Sequence, residues 1–252
     1  MNPEDYFPEN TRVCVRGRLV GGGGDGDHLV EPDLGHHALA LETDPPTVAT
    51  AAGYDGTLVD VSGSVRRNRL HATAVVPAPA TDPLQHSLGQ LKAKVVARSP
   101  RVADDAATGA DEIELMVERL RREGHVVAST RLRILPARVI LAVSTTEPAL
   151  VGARMEAAVR DGLVVVLPSR WGHAALDAAR AAVAEIDESD VIATGEGINE
   201  SGELFVHVKT KGPVEVRLPE ASTEYGVLQV QSWITPGAGV LEEPDRRERG
   251  AR

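Results

Sequence analysis

One seven-residue pattern occurs twice in this chain. Val13-Cys14-Val15-Arg16-Gly17-Arg18-Leu19 and Val59-Asp60-Val61-Ser62-Gly63-Ser64-Val65 both read Val-x-Val-x-Gly-x-aliphatic. Apolar side chains at alternate positions put one face of each segment in a core and the other in water, which is strand periodicity. A glycine at the fifth position relaxes the pleat, as happens where a strand bends at the corner of a small barrel. Further strands are expected near His37–Leu41, where His37, Leu39 and Leu41 share a face, and over Leu70–Val76. There Leu70, Ala72, Ala74 and Val76 alternate with His71, Thr73 and Val75. Arg66-Arg67-Asn68-Arg69 is the expected hairpin turn, with Asn suited to the left-handed backbone that such a turn needs.

The run Pro77-Ala78-Pro79-Ala80-Thr81-Asp82-Pro83 continues neither a sheet interior nor a helix, so it marks a domain boundary. Beyond it the period changes. Helices are expected over Leu84–Val96, Asp111–Glu123, Glu147–Arg160 and Gly172–Ile186, and the acidic stretch 104–109 as a loop. The second helix is the clearest, with Ile113, Met116, Val117 and Leu120 on one face and Gly124 as its stop. Strands are expected at Arg138–Val143 and Leu163–Leu167, and a hairpin pairs 190–197 with 204–209 around Asn199–Gly202. Val214–Leu218 and Val227–Ile234 are further strand candidates, and the charged end 239–252 is expected to be a disordered tail.

The expected fold class is therefore α+β or α/β in two domains. A small β-barrel over 1–76 and a linker over 77–83 precede a mixed-sheet α/β domain over 84–238. The first unit resembles an OB-fold barrel. In that group the first and third strands often carry Val-x-Val-x-Gly, as 13–17 and 59–63 do, and the fourth often reads Leu-x-Ala-x-x-Val, as Leu70–Val75 does. Residues 169–235, in which Ser169-Arg170-Trp171 leads into a helix, a hairpin and a late strand, resemble the small α/β modules of bacterial protease pro-regions. No residue role is taken from that likeness.

The OB-like resemblance implies single-strand nucleic-acid binding as one alternative, through a basic groove and stacking rings. Arg16, Arg18, Arg66, Arg67, Arg69 and His71 are the candidate groove residues. Against this, Tyr54 is the one Phe, Tyr or Trp in 12–77, and residues 1–80 carry six Lys and Arg against eleven Asp and Glu. An acidic unit lacks the counterion release that dominates nucleic-acid affinity. The chain as a whole has a formal charge of −10, which also disfavours anionic lipid.

Chemistry-bearing clusters are sparse. The run Gly21–Gly24 with Asp25 and Asp27 lacks the Lys and Ser/Thr of a phosphate loop, and its carboxylates would repel phosphate. His28, His36 and His37 with Asp25, Asp27, Glu31 and Asp33 have metal-ligand chemistry but no recognisable ligand spacing, and adjacent histidines on a strand face opposite ways. No metal or cofactor is expected. Cys14, the single cysteine, sits opposite the valines of its strand, and it excludes an intramolecular disulfide. An enzyme in the α/β domain is the other alternative, its test being whether His173, Glu196 and His207 gather in one cleft. In a chain with only 3% aromatics, Trp171 and Trp233 are packing anchors or, alternatively, protein-contact residues.

By exclusion, the leading expectation is a non-enzymatic binding or assembly protein whose partner is another protein or a second copy of the chain. No basic and apolar leader and no apolar run of about 18 residues is present, so a cytoplasmic protein without membrane contact is expected.

Overall fold

The computed structural model describes residues 2–21, 26–32, 35–43, 56–78, 83–98, 110–135, 138–158, 164–218 and 226–237. Residues 22–25, Asp33, Tyr54, 79–82, the 104–109 stretch and the 239–252 tail lie outside them. In chain order the first elements are β1 (Arg12–Val20), β2 (His28–Val30), β3 (Ala38–Thr43), β4 (Leu58–Arg66) and β5 (Arg69–Pro77). Helices α1 (Pro83–Arg98) and α2 (Ala110–Arg122) follow, then β6 (Ala128–Leu135), β7 (Arg138–Thr145), α3 (Pro148–Ala158) and β8 (Val164–Pro168). The chain continues with α4 (His173–Ala184), β9 (Val191–Ile198), β10 (Leu204–Thr210), β11 (Leu228–Ser232) and β12 (Ile234–Pro236).

The two copies of the repeated pattern are hydrogen-bonded to each other. β1 and β4 run antiparallel with Val13 opposite Gly63, Val15 opposite Val61 and Gly17 opposite Val59. The first position of one copy therefore always meets the fifth position of the other, and the valines fill the core that the glycines leave open. The ring continues from β1 through β2, β3 and β5 to β4, with β3 and β5 parallel, and closes as a five-stranded barrel. Its interior is aliphatic, with Leu29, Leu39, Val59, Val61, Val65 and Leu70 fully buried. At Gly17 a Cβ would lie 2.6 Å from the Leu29 side chain, and at Gly63 it would lie 2.2 Å from the His71 carbonyl oxygen. Both glycines thus permit a close strand crossing that any side chain would block.

The hairpin turn forms as expected, and Arg67 (φ 47°) joins Asn68 (φ 62°) in the left-handed region. The expected alternation along β5 breaks midway. Ser62 faces Ala74 while Gly63 faces Ala72, so Thr73 is an extra residue in the ladder. This bulge shifts the inward phase, burying Val75 and exposing Ala74 and Val76. β2 was not expected, because three residues with one buried side chain show no period.

By contacts the chain falls into two units that a single cut at the prolines does not separate. One holds the described residues of Met1–Ala80 together with Lys209–Glu215 and those from Gln231 onward; the other holds those of Thr81–Val208 and Val216–Val230. The return to the barrel is built by specific contacts. β12 pairs with Val13–Val15 of β1, and the Trp233 indole donates to the Arg16 carbonyl at 2.8 Å. Lys209 donates to Glu31, and both side chains are buried. The expected strand over 227–234 is accordingly two strands, split at Trp233. Val214–Leu218 forms no strand.

In the second unit the expected mixed sheet is two three-stranded sheets, ordered β6-β7-β8 and β11-β10-β9. β6 is antiparallel and β8 parallel to β7, with α3 as the crossover between β7 and β8. One face packs Leu132, Ile140, Ala142, Val165 and Leu167 against Leu91 and Val95 of α1. The other packs Val143 against Ile113, Val117 and Leu120 of α2 and Val151 and Met155 of α3. Trp171, Leu176 and Ala179 pack with Phe205, Val206 and Val227 in a third cluster. Helix α2 matches its expected span and stripe; β6 was not expected. No helix among the described residues is long and apolar enough to cross a membrane.

Candidate functional site

The apolar stripe of α2 seats the helix on the α3 side of the sheet, but the strand beneath its outer flank is polar. Toward this face β6 turns Ser129, Arg131 and Arg133, while Leu132 is buried on the opposite face. Such side chains give the helix nothing apolar to close on. A groove of about 620 Å³ remains between α2 and β6, with Leu141 and Val117 in its lining. Leu115 overhangs it at 68% exposure. Val139, two residues before Leu141 and opposite Arg133, is 42% exposed on the same face but outside the groove lining.

The charges around the groove are ordered. Arg131 donates to Glu114, Arg121 donates to Glu118 at 2.9 Å, and Arg121 also donates to the Ser129 hydroxyl at 2.6 Å. Each carboxylate in the lining is thus held by a guanidinium. The groove thus sets exposed Leu115 and half-buried Leu141 among ordered ion pairs. Sequence periodicity pointed at the buried stripe of α2 and passed over Leu115. The available signal was that Leu115 is a large apolar residue off that stripe.

The barrel residues proposed for nucleic acid do not form one surface. Arg16 is chelated by Asp60, its Nε at 2.7 Å and Nη2 at 2.9 Å, which also raises its pKa through that hydrogen bond. Arg66, Arg67 and Arg69 lie at the hairpin tip, six or more residues along β4 from the Asp60 level, roughly 20 Å at strand rise. Arg18 lies farther still, paired with Leu58, while His71 is half-buried opposite Ser64. The tip itself is pinned, since Arg66 donates to the Asn10 side chain and the Asn68 amide to Glu4.

Trp171 and Trp233 are 2% and 4% exposed, so both are packing anchors. What Trp171 presents to solvent is its neighbour. Arg170 lies over the indole, its guanidinium carbon 4.7 Å from the ring centroid, and its Nε and Nη2 each donate to Glu203 at 2.9 Å. Burial alone would raise the Glu203 carboxyl. Hydrogen bonds from the Arg170 guanidinium, the Asn199 amide and the Arg170 backbone outweigh it and hold the group below its ordinary value.

His173, Glu196 and His207 are engaged separately. His173 Nε2 lies 3.0 Å from the Val126 carbonyl, Glu196 accepts from Arg180, and His207 packs under Gly195 with a tilted contact to Phe205. A different histidine meets a carboxylate, His125 Nδ1 to Glu147 at 2.6 Å, beside a Glu123–Arg154 pair. Cys14 lies 3.4 Å from the Ser62 hydroxyl. Of the acidic and histidine cluster in the barrel, Glu31 is committed to Lys209, and burial with the nearby Lys211 lowers the His37 pKa. Among the described residues no three His, Cys, Asp or Glu side chains converge as metal ligands. No family model matches the chain, and neither a curated protein nor a solved structure is significantly similar to it.

Proposed function

We propose that this chain is a non-enzymatic binding or assembly protein that engages a protein partner through the groove between α2 and β6. The observation that carries the reading is Leu115, a large apolar side chain mostly in solvent beside Leu141 in a groove whose other walls are largely ion-paired side chains. What supports the reading is that Leu115 is not an isolated exposed residue but shares one groove with Leu141, and grouped apolar exposure is the kind that marks a contact site. The barrel is read as OB-like on its closed ring and its parallel β3–β5 pairing, and it serves as a scaffold rather than as a nucleic-acid groove. Its arginines divide between two ends of a strand pair, which supports that choice.

Hydrogen–deuterium exchange on the chain, alone and in its native complex, tests the reading. The expected footprint is slower exchange in Ala110–Arg122 and Ala128–Leu135. A footprint confined to the barrel would contradict it.

A further inference from the structure

Resting on that reading, we propose that the partner enters as an extended acidic segment, adding a strand to the open edge of β6 with carboxylates facing Arg131 and Arg133. Among the described residues β6 has β7 on one side and no strand on the other. Its outer row of backbone donors and acceptors is therefore a template for a further strand. The ladder with β7 is regular from Ala128 to Arg133 and becomes irregular between Arg133 and Leu135, which limits a new strand to about six residues.

Charge selects the occupant. Arg131 and Arg133 are both exposed on the groove face, and Arg133 makes no ion pair among the described residues. Arg131 bonds Glu114 but carries more donors than one carboxylate oxygen uses. An incoming strand with acidic residues at positions i and i+2 meets both guanidinium groups directly across the ladder. A second copy of β6 does not fit. Two-fold antiparallel pairing keeps like faces on like sides, so the arginines of the two copies would stand opposite or diagonal to one another.

The probe is the capped peptide acetyl-Thr-Glu-Val-Glu-Val-Thr-amide, titrated into the full chain at low salt by calorimetry. Its controls are the same peptide with Lys for Glu and a version with alternate backbone amides N-methylated. The Glu peptide is expected to bind about tenfold tighter than the Lys peptide, and Arg133→Glu to remove that preference. N-methylation is expected to abolish binding, because the ladder bonds are lost. Equal binding of the Glu and Lys peptides, or full binding of the N-methylated one, overturns the proposal, as does no binding of the Glu peptide. If the peptide fails while the exchange footprint still falls on α2 and β6, strand addition is wrong and the groove reading stands. If both fail, both are wrong.

Discussion

β1 of the barrel and β6 of the α/β unit are both twisted, half-polar strands, yet they end in opposite situations. β1 has neighbours on both sides, with β4 along Arg12–Arg18 on one and β12 followed by β2 on the other. β6 has β7 alone among the described residues. Pairing on two sides uses most of the backbone hydrogen-bonding groups of β1, whereas β6 keeps one row that no strand meets among the described residues. An open sheet has to guard its edge, and β6 carries the exposed Arg131 and Arg133 along its own. In the proposed reading the open edge is the recognising surface and the barrel its support.

The comparison is broken most severely at the buried pair that ties the 209–215 segment to the barrel. Lys209→Met leaves the Glu31 carboxylate buried without its ammonium, and a loss of about 3–5 kcal/mol is expected in urea unfolding. Adding Glu31→Leu to that variant is expected to recover most of the loss, whereas no recovery would mean that the pair is not the source. Next is the strand crossing. Gly63→Ala forces a methyl group onto the His71 carbonyl, and about 1–3 kcal/mol is expected by the same measurement. An unchanged midpoint would show that the bulge relaxes freely.

A smaller effect is expected in the α/β unit at Glu203. Its pKa is depressed in the fold, so the stabilisation is complete above the ordinary carboxylate value of about 4.3 and is lost as pH falls through the lower folded value. Glu203→Gln is therefore expected to cost about 1 kcal/mol at neutral pH, discounted because Arg170 is largely solvated, and the gap to wild type should close on acidification. A gap that widens in acid would contradict the sign. Smallest of all, Leu115→Glu is expected to change stability by less than about 0.5 kcal/mol while weakening partner binding. A large drop in stability would mean that Leu115 is a core residue.

The same division explains what could be read from residues alone. The repeated Val-x-Val-x-Gly pattern was legible because each barrel strand buries one face, so alternation survives in the sequence. It failed at Thr73, where an inserted residue inverted the phase of β5 without changing composition. β6 was hidden for the opposite reason. Between Ser129 and Arg133 it buries Leu132 alone and turns polar side chains to the groove, so it shows no apolar period. α2 announced its buried stripe, but the groove depends on what lies opposite Leu115, and no local pattern encodes a neighbour from another element. Glu31 and Lys209 are 178 residues apart, and nothing near either one signals the other.

Native mass spectrometry of wild type and Leu115→Glu, each purified gently at low salt from the natural host, tests the central claim most directly. The account predicts that wild type carries protein mass beyond 26.7 kDa and that Leu115→Glu is stripped of it. A bare monomer for wild type, or a complex that survives Leu115→Glu intact, would contradict a partner held in the groove between α2 and β6.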